Sequence, residues 1–516
     1  MNYKNDYKNM LLVGHEKLGI VFKSILIGIS VGVVTILYRL ALSNAEALNG
    51  RIYSYISHNL ILIIPTFLIL ITLGWLIGWL VIRYPMIGGS GIPQVEGQLL
   101  GYFQNLWVST LLTKFIGGTI CILAGLSVGR EGPCIQLGAS TAQGLGDRLA
   151  KTRTEKKILI ASGASAGLAA AFNAPLAGVM FSLEEVFKYF SPTILLATVT
   201  AAITSDFVAN IIFGLKPVFS FKLQDALALN YYWLLLLLGV LVGIFGALYN
   251  KILLTTMRIY KKIPEKTRPV IAFITAGVLG LIFPIVLGGG ERIIQALSLN
   301  KSVSWLVIVL LLKFIFSMIS FGSGAPGGIF FPLLVLGALI GSIFGNISIC
   351  FLGINPDLFF NFVVFSMAGL FAAIVRAPIT GIILLTEMTG SFNHLLPLTV
   401  VSIAAYVTAD LLKSTPIYES LLELKIAGSE SAYNFDHDIS KKITVEMVVH
   451  HGSQIENSSI KDLFLPLGNL VIAVKRHGRD ITPSGNTKIK AGDYLVVLTS
   501  TKDESILRET LKKMCQ

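Results

Sequence analysis

The stretch GREGPCIQLGA, Gly129 to Ala139, returns in outline as GIFFPLLVLGA, Gly328 to Ala338. Gly129 meets Gly328, Pro133 meets Pro332, and Leu137-Gly138-Ala139 meets Leu336-Gly337-Ala338, all at an offset of 199 residues. Moving outward, the same offset places Lys114-Phe115 on Lys313-Phe314, Gly125 on Gly324, and the GSG of Gly89 to Gly91 on the GGG of Gly288 to Gly290. Downstream it drifts: Ala166-Gly167-Leu168 meets Ala368-Gly369-Leu370 at 202, while Ala174-Pro175 meets Ala377-Pro378 and Glu184 meets Glu387 at 203. Chance pairings of Gly and Ala are common in such a composition, but a steady offset through so many positions is not. The chain is a duplicated unit, with halves over about residues 20–215 and 230–422. Duplicated halves in transporters pack about a pseudo-two-fold axis, with the ion site where glycine-broken helices meet.

Composition places that unit in a membrane. Of 516 residues, 54% are hydrophobic and 14% charged, and the mean hydropathy is +0.74; soluble chains carry about 25% charged residues. Leu60 to Ile82, Tyr231 to Leu248 and Trp305 to Phe321 are each near the roughly 20 residues that cross a bilayer as a helix. The net charge of +12 does not indicate nucleic acid, because the basic residues cluster in short loops: Lys4 to Lys23, Arg148 to Lys157 and Arg258 to Arg268. That pattern reads as topology, with all three clusters in the cytoplasm. No cleavable signal peptide is evident in the polar first twenty residues. Cys121, Cys134 and Cys350 read as small core residues and Cys515 as part of a polar tail, with no metal or redox spacing.

Charge inside such a chain calls for explanation. Arg130 and Glu131 stand at a helix start within apolar sequence, where insertion scales put the cost of a charge at about 2.5 to 3.5 kcal/mol, so these residues face a pathway or cavity. Three glycine-rich breaks precede apolar helices: GGSGIPQVEG (Gly88 to Gly97), GREGP (Gly129 to Pro133) and GGIFFP (Gly327 to Pro332). Helix starts offer free N–H groups and positive dipole ends, which suit a dehydrated anion without a lysine that would hold it too tightly. Beside them, a carboxylate makes a titratable gate. Gly322, Gly324 and Gly327 spell the dinucleotide fingerprint, but no strand precedes them and the match is rejected. No Walker sequence and no metal-spaced histidine cluster occurs, so neither an ATP-driven pump nor a metal enzyme is supported, and no cofactor is expected. Adjacent His450 and His451 read as solvated.

These breaks resemble the signature motifs of the ClC family of chloride channels and chloride–proton exchangers: GSGIP, G(K/R)EGP and GxFxP, in family order. AAFNAPLAGVMFSLEE (Ala170 to Glu185) and TPIYESLL (Thr415 to Leu422) extend the likeness over about residues 20–422. The resemblance implies an all-α polytopic membrane fold of two inverted halves of broken, tilted helices, a homodimer, and an ion path in each subunit. It implies chloride binding by the Ser90 hydroxyl, the Ile329 and Phe330 amides and the Tyr418 hydroxyl. It makes Glu131 the gate that competes with chloride and carries the proton, and Glu185 the internal proton-transfer residue of exchangers. Glu184, opposite Glu387, reads as structural, whereas Glu185 falls on Met388. The expected function is exchange of chloride for protons across the plasma membrane of a bacterial-type cell. The alternatives are a passive chloride channel, a fluoride exporter, or a ligand-sensing membrane regulator. One departure is Gln94, where many members carry Glu, with an altered local field expected.

Near residue 425 the composition changes to that of a small soluble domain, from about Ser429. Ile443 to Val449, Leu470 to Val474 and Tyr494 to Leu498 read as strands, Gly478 and Gly485 as turns, and Lys502 to Lys513 as an amphipathic helix. With GSQIENSSIKDLFLP and TPSGNTKIKAGD, this tail resembles the C-terminal ligand-binding domain of potassium-uptake proteins. The resemblance implies a cytoplasmic α+β regulatory domain over 426–516 that takes a small-molecule regulator, the alternative being a dimerising module without ligand.

Overall fold

The computed structural model describes residues 3–188, 191–215, 217–219, 221, 223, 227–427, 442–466, 468–476, 479–500 and 504–515. Ser429, Gly478 and Lys502 of the sequence reading lie outside them. The chain divides into two compact units, Met1–Ile426 and Ala427–Gln516.

In the first unit, eight helices are followed by eight counterparts. The first set is α1 (Tyr3–His58), α2 (Ile63–Arg83), α3 (Ile92–Leu100), α4 (Trp107–Leu123), α5 (Glu131–Leu149), α6 (Arg153–Phe172), α7 (Pro175–Phe181) and α8 (Pro192–Phe213). The second is α9 (Tyr232–Tyr260), α10 (Arg268–Ile282), α11 (Glu291–Ala296), α12 (Val303–Gly322), α13 (Phe330–Leu352), α14 (Phe359–Val375), α15 (Pro378–Thr389) and α16 (Leu395–Leu411), and α17 (Ile417–Ile426) closes the unit without a mate. Prolines open α7 and its counterpart α15, where a missing N–H costs nothing. Among the described residues, seven helices are long and apolar enough to cross a membrane. α2 leaves Leu68, Ile69, Trp75 and Trp79 exposed, a surface that suits lipid tails and not water.

The two halves meet about their own repeat. Gly129 and Gly328 form an antiparallel bridge, with Gly129 N–H donating to Gly328 O at 2.7 Å and Gly328 N–H to Gly129 O at 2.8 Å. A Cβ on Gly328 would lie 3.2 Å from Gly132 N, so glycine is what allows this approach. Gly89 N–H donates to Gly324 O at 3.2 Å, and the mirrored bond runs from Gly288 N–H to Gly125 O at 3.0 Å. Farther out the glutamates are exchanged. Glu387 accepts from Leu176 N and Ala177 N at the start of α7 (3.0 and 2.8 Å), and Glu184 accepts from Ile379 N and Thr380 N at the start of α15 (3.3 and 2.8 Å). Each caps its partner's free N–H groups with a carboxylate, at the dipole end that favours it.

Around this axis α5, α6, α13 and α14 make the core. Ile158 to Phe172 of α6 are buried throughout, and Gly163 and Gly167 let the α5 backbone come close. Cys121 and Cys134 are buried, but Cys350 is exposed. It sits in the last turn of α13, beyond the packed part of that helix.

The second unit carries a four-stranded sheet in the order β1-β4-β2-β3, with β1 (Lys442–Val448), β2 (Leu470–Arg476), β3 (Arg479–Ile481), β4 (Tyr494–Ser500) and α18 (Glu504–Cys515). All pairings are antiparallel. Leu507, Leu511 and Cys515, four apart on one helix face, pack on Val445, Val474, Leu495 and Val497. Cys515, read as part of a polar tail, is thus a core residue. The short charged strand β3 escaped the sequence reading because three residues with Arg479 and Asp480 show no apolar alternation. Gly485 lies in a turn, His450 is exposed, and His451 stands 3.2 Å from Glu456.

Candidate anion site at three helix starts

Ser90 lies between Gly89 and Gly91, both with positive φ (71° and 99°), a turn that aims the chain into α3. Its side chain is buried, and its Oγ accepts from Ile92 N at 3.2 Å. Capping of α3 therefore uses the oxygen and leaves the hydroxyl hydrogen to donate elsewhere. The loop is held from behind. Lys114, fully buried in α4, donates through Nζ to Ile87 O at 2.8 Å and Gly89 O at 2.7 Å. Lys313 repeats this on Val286 O and Gly288 O at 3.0 and 2.7 Å. Gln94 donates through Nε2 to Gly88 O, a bond that an ionised Glu at this position cannot make. Lys425 of α17 reaches the same carbonyl at 3.4 Å.

Glu131 opens α5 and is buried. Its Oε2 accepts from Phe331 N at 3.4 Å, so the carboxylate sits at the start of both α5 and α13. The ion pair of neighbouring Arg130 is not with Glu131: its Nη2 pairs with Glu291 Oε1 at 3.0 Å, at the start of α11. A Cβ on Gly132 would lie 2.7 Å from Ser90 O and 3.0 Å from Ser90 Cβ, so the starts of α3 and α5 touch. Ile329 caps α13 and Phe330 begins it; the first N–H groups of a helix have no partner within it, and Pro332 supplies none. The Phe330 ring lies 6.0 Å from Phe181, which lies edge-on to Tyr418 at 6.3 Å. Tyr418 is fully buried and its hydroxyl has no hydrogen-bond partner among the described residues.

The structure thus gathers Ser90, Glu131, Ile329, Phe330 and Tyr418 in one neighbourhood. Glu185 stands apart, in a π-helical turn, Ser182–Val186, that follows Phe181. It is buried, its Oε1 is unpartnered among the described residues, and Lys188, Glu96 and Glu419 lie within its electrostatic reach. Tyr418 is within reach of both Glu185 and Glu131. Such π turns recur at functional sites. A cavity of about 370 Å³ opens beside Arg130, lined among others by Arg39, Asn173, Glu291 and Phe331.

Sequence reading missed the parts played by Lys114, Lys313, Lys188 and Glu291. Lys114 and Lys313 were visible only as repeat markers. Lys188 pairs with buried Glu96 at 3.0 Å, and no spacing links those two positions. Glu291 reads as an ordinary acidic residue in a helix's first turn. No group of three or more metal-ligating side chains occurs among the described residues.

Residues 70–410 match the family model described as voltage gated chloride channel, and residues 444–512 match the TrkA-C domain. The chain is 37% identical over 420 residues to the H(+)/Cl(-) exchange transporter ClcA of Vibrio cholerae, covering 78% of this chain and 89% of that one. Among solved structures it is similar to a slow cyanobacterial Cl−/H+ antiporter, with a TM-score of 0.75, 30% identity, and coverage of 80% of this chain and 99% of that chain. It is also similar to a CLC-type fluoride/proton antiporter, with a TM-score of 0.62, 26% identity, and coverage of 77% of this chain and 96% of that chain. With its motifs in order on a duplicated helical fold, the chain belongs to the voltage gated chloride channel family and carries a TrkA-C domain behind it.

Proposed function

We propose that this protein is a secondary active transporter that exchanges chloride for protons, and that it catalyses no chemical conversion. The observation that carries the reading is the buried Glu131 carboxylate at the shared start of α5 and α13. There it occupies the ground that the free N–H groups of α13 offer an anion. When ionised it holds that ground; when protonated it loses its charge and its claim, and chloride enters. Proton uptake and anion entry are then coupled through one side chain.

The other side chains take consistent parts. Ser90 has a hydroxyl hydrogen to give, and Tyr418 has an orphan buried hydroxyl; leaving such a donor unmade costs about 1–3 kcal/mol, which an anion relieves. The Ile329 and Phe330 amides add donors without a full charge. Glu185, buried and with no hydrogen-bond partner for Oε1 among the described residues, takes the internal proton-transfer step. The naming of relatives as H(+)/Cl(-) exchangers supports the same reading. We place the protein in the plasma membrane of a bacterial-type cell, as a homodimer, with the tail in the cytoplasm taking a small-molecule regulator.

The test is purified protein in sealed liposomes, with voltage clamped and a chloride gradient imposed. Exchange drives protons uphill. Chloride flux without uphill proton movement makes the protein a passive channel, and fluoride-driven proton movement in place of chloride makes it a fluoride exporter.

A further inference from the structure

We propose that Glu291 is a positioning residue of the gate: by pairing with Arg130 it keeps that guanidinium from Glu131 and so sets the acidity at which chloride enters. The inference rests on Glu131 being the gate. Arg130 and Glu131 are neighbours at the start of α5, yet the ion pair of Arg130 runs across to the other half, to Glu291 at 3.0 Å. Glu131 accepts a long bond from Phe331 N, at 3.4 Å. Arg130, Glu131 and Glu291 line one narrow cavity, together with Glu46, Gly289 and Phe331. At an offset of 199 residues Glu291 falls on Ile92, so its charge is not part of the scaffold that both halves share.

Two effects of Glu291 have the same sign. Its negative charge beside Glu131 disfavours a second negative charge, and its hold on Arg130 occupies the cation that would otherwise favour one. Neutralising Glu291 frees the guanidinium to act on Glu131, which then stays ionised at lower pH and keeps the path shut until the medium is more acid.

Other charged groups face this cluster and stay in place when Glu291 changes. On α1, Arg39 donates to Ala170 O at 2.6 Å and lies over Phe213 at 3.7 Å. Also on α1, Glu46 faces the same cavity. Arg292 donates to Glu46 O at 3.4 Å, Lys313 is committed to its two loop carbonyls, and Asp206 of α8 accepts from Asn210 at 2.9 Å. Because Glu46 remains as a competing anion for Arg130, the shift is partial.

The experiment uses the full chain in liposomes, with chloride flux measured against pH on both faces together. Glu291→Gln moves the midpoint of acid activation down by about half to one pH unit, and Glu291→Asp restores most of it. Arg130→Gln, which removes the cation, moves the midpoint up, giving a second variant with the opposite sign. In a Glu131→Gln background, neither change alters a flux that no longer depends on pH. A folded Glu291→Gln protein whose midpoint is unmoved, even if slower at every pH, overturns the positioning role and leaves the gate standing. Persistent pH dependence in Glu131→Gln overturns the gate, and the positioning role with it.

Discussion

At the residue scale, the side chains assigned to transport are those at which the two halves differ. Ser90 falls on Gly289, Glu131 on Phe330 and Glu185 on Met388, and Tyr418 lies on the helix without a mate. Duplication supplies two equivalent frames, and substitution in one makes a single site. Glu131→Gln imitates the protonated acid permanently, so flux should persist, lose its pH dependence and no longer move protons. Glu185→Val should stop protons and spare chloride; flux assays on both ions in liposomes check each. The hydroxyls are separable from the fold. Tyr418→Phe removes an orphan donor and should weaken chloride binding several-fold, about 1 kcal/mol, without lowering the thermal midpoint in chloride-free buffer. Ser90→Ala should weaken binding similarly but also lower the midpoint, because Oγ caps α3. Isothermal titration and thermal unfolding in detergent read the two effects.

At the scale of elements, shared residues hold the frame. Lys114 and Lys313 each tie two loop carbonyls from a fully buried position, and replacement by Met removes those bonds at about 1–3 kcal/mol, although Gly89 O keeps the Gly327 N–H at 3.0 Å. Both variants should unfold at lower temperature. Only Lys114→Met should also bind chloride more weakly, because its loop carries Ser90 while that of Lys313 carries Gly289. Equal loss of affinity in both would place the anion nearer the axis than the Ser90 loop. The exchanged caps of Glu184 and Glu387 belong to the same frame. The Glu184–Glu387 equivalence and the pairing of helices were legible as an offset that holds at 199 and drifts to 203. The π turn that carries Glu185 was not, since nothing in SLEEV distinguishes it from ordinary helix.

For the whole molecule, the tail is a compact unit with its own core. Its Asp493 is buried and takes a two-point contact from Arg476, at 2.7 Å each, a geometry that fixes the turn before β4. A separately folding unit can regulate without forming the path. A chain ended after Ala427 should therefore still exchange chloride for protons, at an altered rate. The cut belongs there and not within α17, because Lys425 donates to Gly88 O in the loop before Ser90. A folded truncation, confirmed by gel filtration and thermal unfolding, that passes no chloride would make the tail integral to transport.

Sequence by itself determined the solvent this chain folds in, the duplication, the breaks where helices start and the residues a family pattern would place at the ion. All of these follow from composition and from order along the chain. An offset of 199 residues states that two positions are equivalent; it does not state that they touch. Tertiary structure decided that Gly129 and Gly328 meet at the axis, that Arg130 answers Glu291 across the halves and not its neighbour Glu131, and that Cys350 is exposed while Cys515 is buried. Those outcomes depend on which faces of distant helices pack together. In a chain where nearly every helix is apolar on several sides, periodicity leaves that choice to the fit of glycine-lined surfaces and to the few charges that must find partners away from water.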